Sequence, residues 1–415
     1  MATADNILQQ VITYQKSGLA LLTNLNCFIS SANKKFKDFQ NLTANLGSTV
    51  SFDLTPRFNT TNGLIANFEA VEQRFQNLTV DQSANISYAF SAEQFLFNVH
   101  DYMEKFGRGA VAELGAKIEA NVALNCETQP YRFFGDGVTD ITTFLQLATA
   151  LARFRNYGAP KVNTRGYLSD IAVPNIANSG LSQFTTKRND EMANSWEIGS
   201  FSKCEWMQSN LLPVHTSGTE GTQATSLTVV SVTKDANNAI TNILFSGTNA
   251  ASDASSVLKY DRFQFTDAVA GRTNVRFLTF TGHQVSAQPC QFRATANATS
   301  TGGSQVNVAI YPPLIAAAGK NQNINTEIVA GMKCTVLPSH RVGLITSGDP
   351  LFLAMPKLPP VTPFPSSSEM DPETGVSMRQ YYGSLFGQNQ QGMVHDNIWG
   401  STLVPEYSMA LIFKL

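Results

Sequence analysis

Apolar side chains recur at steps of three or four through Ala89–Cys126, AFSAEQFLFNVHDYMEKFGRGAVAELGAKIEANVALNC, at Phe95, Val99, Tyr102, Phe106, Ala110, Leu114, Ile118 and Val122. That spacing lays them along one face of a helix. Ser91 stands as an N-cap with Gln94 at the capping-box position, and Pro130 follows the run, so start and stop signals bracket it. A helix of roughly thirty residues reaches about 45 Å. Gly107, Gly109 and Gly115 each cost about 1 kcal/mol in a helix interior, so either the element bends there or another backbone packs closely against it. The stripe fits a buried helix of a large enzyme or a spine under an extended plate, and its flanks favour the spine.

Upstream, Ile7, Leu8, Val11, Ile12, Leu19, Leu22 and Leu25 keep a rough helical period, followed by the basic Lys34, Lys35 and Lys37. This is an arm that docks either on another subunit or on its own domain. From Thr49 the period changes to two: in TVSFDLTPRF, Val50, Phe52 and Leu54 alternate with polar residues ahead of Pro56. Turn residues at 59–63 and a second aromatic-rich run ending at Phe90 make a long hairpin-like excursion. About forty residues in such an element hold no core of their own, so the excursion must lie on something else, and a neighbouring subunit is the expected support.

Past the spine, a turn at Gly135-Asp-Gly, an N-cap at Asp140 or Thr142 and apolar Phe144, Leu147, Leu151 and Phe154 predict a second helix ending at Gly158. RGYLSDIAV reads as a strand entering a turn at Pro174, and KRNDEMANSW as a polar helix or loop. Between about Thr216 and Lys320 come short strands, SLTVVSVT, AITNILFS, DRFQFTD, VRFLTFTG, QPCQFRATAN and QVNVAIYPPL, separated by Gly, Asn, Asp and Ser turns. They predict an inserted barrel or sandwich, with a tight turn at Asp235-Ala-Asn-Asn and an end at Tyr311-Pro-Pro. Apolar strands resume through VAGMKCTVLPSHRVGLIT and DPLFLAMPKLP. A stiff surface connector follows, LPPVTPFPSSSEMDPETG, and then two terminal strand runs expected to pair across a turn. The fold class is α+β with an inserted all-β module.

Composition sharpens this. Charged residues are 14% of the 415, against about a quarter in most soluble chains, so much polar surface is uncharged, as suits faces that meet other subunits. A net charge of -2 leaves no basic footprint for sequence-specific nucleic-acid binding. Cys27, Cys126, Cys204, Cys290 and Cys334 have no C-x-x-C spacing, which points to reduced thiols rather than disulfides or zinc. No signal peptide and no membrane span are expected, and synthesis is placed in the cytoplasm. The Asn-x-Ser/Thr triplets at Asn41, Asn59, Asn77, Asn85 and Asn297 are read as chance.

No nucleophile elbow, phosphate loop, H-E-x-x-H or dinucleotide fingerprint occurs. His100, His215, His283, His340 and His395 are each read as a lone structural histidine, and Asp136, Asp140 and Asp170 as turn and cap residues rather than metal ligands. The reading is therefore not an enzyme, with no catalytic residue, no metal and no cofactor.

In order, arm, excursion, spine helix, second lobe, inserted barrel and returning strands resemble the major capsid proteins of tailed double-stranded DNA bacteriophages, the HK97-type fold. The pattern is most similar to the coat protein family of short-tailed Salmonella phages, which carries an inserted β-domain. The residues that carry the likeness are SNLLPVHTSG, VNVAIYPPLI, VAGMKCTVLPSHRVGLITSGDP, GVSMRQYYG and LVPEYSMALI. The resemblance implies an N-terminal arm at 1–48, an E-loop at 49–90, and a spine helix and peripheral domain at 91–139. It implies an axial domain at 140–212 and 326–358, an insert at 213–325, and closing strands at 359–415. It further implies a virion location, self-assembly into pentamers and hexamers of an icosahedral shell, a scaffolding protein, a portal protein, enclosed double-stranded DNA and a decoration protein as a further partner. Phe52, Leu54 and Phe58 are the expected E-loop contacts at the subunit interface. An encapsulin-like cellular shell protein and a phage decoration or receptor-binding protein are the alternatives.

Overall fold

The computed structural model describes residues 27–34, 49–58, 68, 70–91, 109–180, 198–222, 226–266, 271, 273–280, 282–361, 364, 366–370, 376–384 and 390–415. The fold is mixed and mainly strand. It divides into two compact units, one built from 1–52, 75–125 and 349–403, the other from 53–74, 126–348 and 404–415.

The first unit is organised on one long strand. β1 (Thr49–Leu54) and β2 (Arg74–Thr79) form a two-stranded ribbon. β3 (Gln82–Ser91), β18 (Leu351–Ala354), β19 (Ser366–Met370), β20 (Ser377–Ser384) and β21 (Gln390–Leu403) make a second sheet. β21 pairs with β3 over its first ten residues, with β20 over Gln391–Asp396 and with β18 over its last four. Ser91 is the last residue of β3, opposite Gln390, in a strand with ten cross-strand partners. Residues 92–108, where the spine helix is expected to begin, lie outside the described residues. The described helix, α2, runs over 109–123, and Ala110, Leu114, Ile118 and Val122 are buried on one side as the stripe predicts. Phe95, Val99, Tyr102 and Phe106 lie outside the described residues. A Cβ at Gly109 would meet nothing within 4 Å, so no backbone crosses closely there. Asn121 of α2 accepts the indole N–H of buried Trp399 at 3.0 Å, and Asn125 donates to Ser401, which fastens the helix to β21.

Of the arm, Cys27–Asn33 is docked inside its own unit. α1 (Cys27–Ser31) buries Phe28 and Ile29, and the Glu119 carboxylate accepts the N–H groups of Phe28 and Ile29 at 2.6 and 2.9 Å. The rest of the arm lies outside the described residues. The proline-rich connector is also corrected, because Ser366–Met370 is a strand paired to β20.

In the second unit, β4 (Phe133–Phe134), β5 (Arg165–Ser169), β6 (Ser200–Phe201), β7 (Cys204–Ser209), β17 (His340–Thr346) and β22 (Ser408–Phe413) form a sheet ordered β4-β22-β17-β5-β7-β6, with β8 (Val214–His215) added beside β17. β22 therefore pairs with β17 and β4, while β20 and β21 pair antiparallel with each other. α3 (Phe144–Asn156) and α4 (Val173–Gly180) supply Leu147, Leu151, Phe154 and Ile176 to a core shared with Trp206, Leu411 and Phe413. The cap of α3 is Thr143, one residue past the expected position, because Gln146 at N3 completes a capping box only from there. Pro174 is the second residue of α4 instead of making a turn, in the first helical turn where its missing N–H has no intrahelical acceptor to lose. Gly166 is required by Trp206: a Cβ there would stand 2.2 Å from the indole ring.

Six strands close a barrel in the order β10-β15-β14-β11-β16-β9. They are β9 (Leu227–Lys234), β10 (Ile240–Ser246), β11 (Arg262–Phe265), β14 (Gln291–Ala294), β15 (Gln305–Leu314) and β16 (Lys333–Val336). β12 (Arg276–Leu278) and β13 (Val285–Pro289) form a side ribbon. Asp235 accepts the N–H of Asn237 and Ala239 in the β9–β10 turn, with Asn238 at φ 57°. Tyr311-Pro-Pro does not end the barrel. β15 continues to Leu314 because its register with β10 jumps from Ala309 to Leu314, so the prolines owe β10 no hydrogen bond. β16, beyond residue 325, supplies the closing strand through Cys334, opposite Leu227 and Phe265.

The barrel interior is led by Phe245, Phe263 and Phe292, whose near-parallel rings lie 5.1–6.5 Å apart. Phe292→Ala should lower stability by about 3–5 kcal/mol, read as an earlier urea midpoint for loss of barrel structure. A midpoint within error of the parent would show that the stack is not a principal source of barrel stability.

Candidate functional site

Between β1 and β2 the chain carries unusual apolar exposure. Phe58, Phe68 and Val71 are 64%, 95% and 63% exposed. Single exposed apolar residues are common, and three in one connecting segment are more than that background. The segment is held at its root. Arg57 donates to Glu406 at 2.6 Å, and Arg74 forms a two-pronged pair with the same carboxylate. Burial pushes the Glu406 carboxyl up, but hydrogen bonds and charge from Arg74 and Arg57 outweigh it and hold the group below the usual carboxylate range. Farther along, Lys320 donates to the Ala70 carbonyl at 2.6 Å and pairs with Glu72 at 3.0 Å. Gln73 reaches Asp53 at 3.0 Å. Polar contacts thus fix the segment's ends while its aromatic side chains stay outside.

The expected contact residues separate. Val50, Phe52 and Leu54 lie on one half-buried face of β1, as alternation predicts. The Phe52 ring packs on Phe352 with centroids 4.3 Å apart, in a small cluster with Leu78 and Ala354. Phe58 is the exposed member. Phe68 and Val71 were missed because no period marks them; they are legible only as apolar residues in a turn-rich run.

The histidines also need correction, since two of the five meet. The rings of His215 and His340, on paired strands β8 and β17, lie 5.3 Å apart in a buried polar cluster. His215 is bonded at 2.8 Å to Glu127 through Nδ1 and at 2.8 Å to Asp261 through Nε2. Asp261 accepts two backbone N–H groups as well, from Gly218 and Leu258, which fits a carboxylate. Burial works against the charged form of His215, yet the two acceptors win and raise its pKa. His340 takes the opposite course. Its Nδ1 faces the Pro338 carbonyl and its Nε2 accepts from Arg262, so burial and the guanidinium charge push it down to about 3. Arg262 also donates to the carbonyls of Cys126 and Glu127. This cluster joins β11 of the barrel to strands β8 and β17. His395, buried beside Tyr88, is pushed by burial down to about 4. His283 lies in a turn at positive φ, and His100 is outside the described residues.

Among the described residues no group of three His, Cys, Asp or Glu side chains has metal-binding geometry. Asp136 and Asp140 accept backbone N–H groups. Among the described residues no helix is long and apolar enough to cross a membrane.

His340 and His395 set a sign for pH dependence. Their folded pKa values lie below the unfolded value of about 6.5, so the unfolded chain gains protons first as pH falls. Their stabilisation is present above pH 6.5 and is lost toward pH 4, by about 1 kcal/mol per pH unit for each group. His215, with a raised value, contributes oppositely: its part is present below pH 6.5 and lost as pH rises through its folded pKa. Urea midpoints should fall between pH 6.5 and 4, and His395→Gln should flatten that slope. An unchanged slope would show that His395 is not held neutral in the fold.

No protein-family model matches the chain, and no curated protein matches it. Solved structures similar to it include a chain of Mycobacterium phage Che8 at 10% identity and TM-score 0.47, covering 93% of this chain and 90% of that one. The capsid of Ralstonia phage GP4 aligns at 7% identity and TM-score 0.46, over 94% and 88%. The capsid structure of the cyanophage P-SCSP1u aligns at 12% identity and TM-score 0.41, over 92% and 88%.

Proposed function

We propose that this chain is the major capsid protein of a tailed double-stranded DNA bacteriophage, a self-assembling subunit of an icosahedral head. The observation that carries the reading is the segment between β1 and β2, fixed at its root by Arg57, Arg74 and Glu406 yet exposing Phe58, Phe68 and Val71. Backbone anchored at Arg57, Ala70 and Arg74 loses less entropy when a neighbour covers the exposed side chains than an unanchored segment would. In this reading 49–90 is the E-loop, and Phe58, with Phe52 and Leu54 behind it on β1, faces the next subunit. Copies meeting head to tail close into rings of five or six, and many modest contacts add up in a closed shell.

The finer assignments belong to the same proposal. The HK97-type arrangement, the likeness to short-tailed Salmonella phage coats and the barrel as an inserted domain fit the order of elements. Scaffolding, portal and decoration proteins are the partners such a shell uses. The net charge of -2 suits a shell that encloses DNA without binding its sequence.

Phe58→Asp combined with Phe68→Asp should leave folded, soluble subunits and weaken each contact by about 3–6 kcal/mol. Electron microscopy should then show no particles where the parent forms shells, with the circular dichroism spectrum unchanged. Normal shells from the double variant would end the assignment of this segment, and a parent that stays monomeric at every concentration would end the proposal.

A further inference from the structure

Beside the Glu406 carboxylate lies a cavity of about 40 Å³ bordered by Arg57, Arg132, Tyr157, Phe277, Phe280 and Tyr311. Arg132 is 1% exposed and Tyr157 2%. The faces of the Arg132 guanidinium are occupied by rings, with Tyr131, Tyr157 and Phe280 centroids at 5.1, 4.7 and 4.5 Å. Such stacking leaves the in-plane N–H groups to find acceptors elsewhere. One does: Nη2 donates to the Glu406 carbonyl at 2.7 Å. The Nε and Nη1 of Arg132, the Nε of Arg57 and the Tyr157 hydroxyl are buried and have no protein partner.

Arg57 and Arg74 share the single carboxylate of Glu406 and Arg132 takes only its backbone carbonyl, so three guanidinium groups meet one carboxylate and two positive charges are left uncompensated in this cluster. Every unpartnered group named above offers a hydrogen. A buried charge without partners costs several kcal/mol, and an unmade hydrogen bond on a buried polar group about 1–3 kcal/mol. A water molecule would bring acceptor lone pairs but also two hydrogens, and it would leave the positive charge untouched. A monatomic anion answers both demands, and the cavity has room for one, since a single water-sized particle needs about 10–15 Å³. Organic ligands, which occupy pockets of roughly 300 Å³ or more, do not fit.

We propose that this cavity is a binding site for a small monovalent inorganic anion, chloride in ordinary solution, held by Arg132, Arg57 and Tyr157. The anion completes the root of the exposed segment. It neutralises part of the charge that Glu406 alone leaves, and it joins residue 57 to the β12 side ribbon through the rings that line the site. The site stands on its own geometry and does not depend on shell assembly.

Tyr157→Phe deletes one unpartnered donor and no other contact, so the variant should fold as the parent does. Full-length protein is melted across a chloride titration in which gluconate, too large for the cavity, replaces chloride at constant ionic strength and pH. The parent's melting temperature should rise saturably with chloride, and bromide should substitute for it. In Tyr157→Phe the chloride concentration giving half the rise should increase about tenfold, the equivalent of one lost charge-assisted hydrogen bond. Equal melting temperatures in chloride and gluconate would mean that the cavity holds water, and would overturn the site. A chloride effect of the same size and midpoint in Tyr157→Phe would place the ion elsewhere and would overturn it as well.

Discussion

A guanidinium taken out of water must be given acceptors, and the second unit is built around two that have lost their water almost completely, Arg132 and Arg262. Arg262 is supplied by His340 and by the carbonyls of Cys126 and Glu127. Burial still pulls its pKa down to about 10, which leaves it charged at neutral pH. Burial first, and then that fixed charge 3.0 Å away, keep His340 neutral, since a second cation in a buried site would be repelled. His215, one strand over, faces two carboxylates and is driven the other way. The two adjacent histidines are thus shifted in opposite directions, His340 down by burial and Arg262 and His215 up by Asp261 and Glu127, and the cluster holds barrel strand β11 against β8 and β17.

Arg132 poses the same demand with fewer answers. Its carbonyl partner comes from Glu406, whose own carboxylate is taken by Arg57 and Arg74. Residues far apart in the chain are brought to one point because none can be buried there alone. The exposed segment inherits its fixed position from this electrostatic knot, while apolar packing holds Phe52 of β1 on Phe352.

Much of this was legible in the sequence where the signal was local. The buried positions of α2 and α3 followed from helical spacing, and the short strands of the barrel from alternation and turn residues. What could not be read were pairings set by distant partners. The ten partners that β21 offers carry β3 as far as Ser91. β22 leaves its sequence neighbour β21 for β17 and β4. Tyr311-Pro-Pro was read as a stop because proline cannot donate, whereas a register jump lets the strand pass through it. The candidate site divides along the same line: Phe52 and Leu54 were found by period, while Phe68, Val71 and the arginine cluster have none.

An exposed aromatic segment is a hazard to a lone molecule, since such surfaces invite random association. Here its position is set by directional contacts, with Arg57 and Arg74 on Glu406 and Lys320 on Glu72 and the Ala70 carbonyl. Directional contacts restrict the poses in which the apolar side chains can be covered, and so turn a non-directional attraction into a selective one. The sparse charge of the chain works in the same sense. With 14% charged residues, few ions would be desolvated in covering such a surface, so burying an aromatic ring is offset by little. Selectivity then has to come from shape and from where the segment is anchored, and the anchoring is what the buried arginines supply.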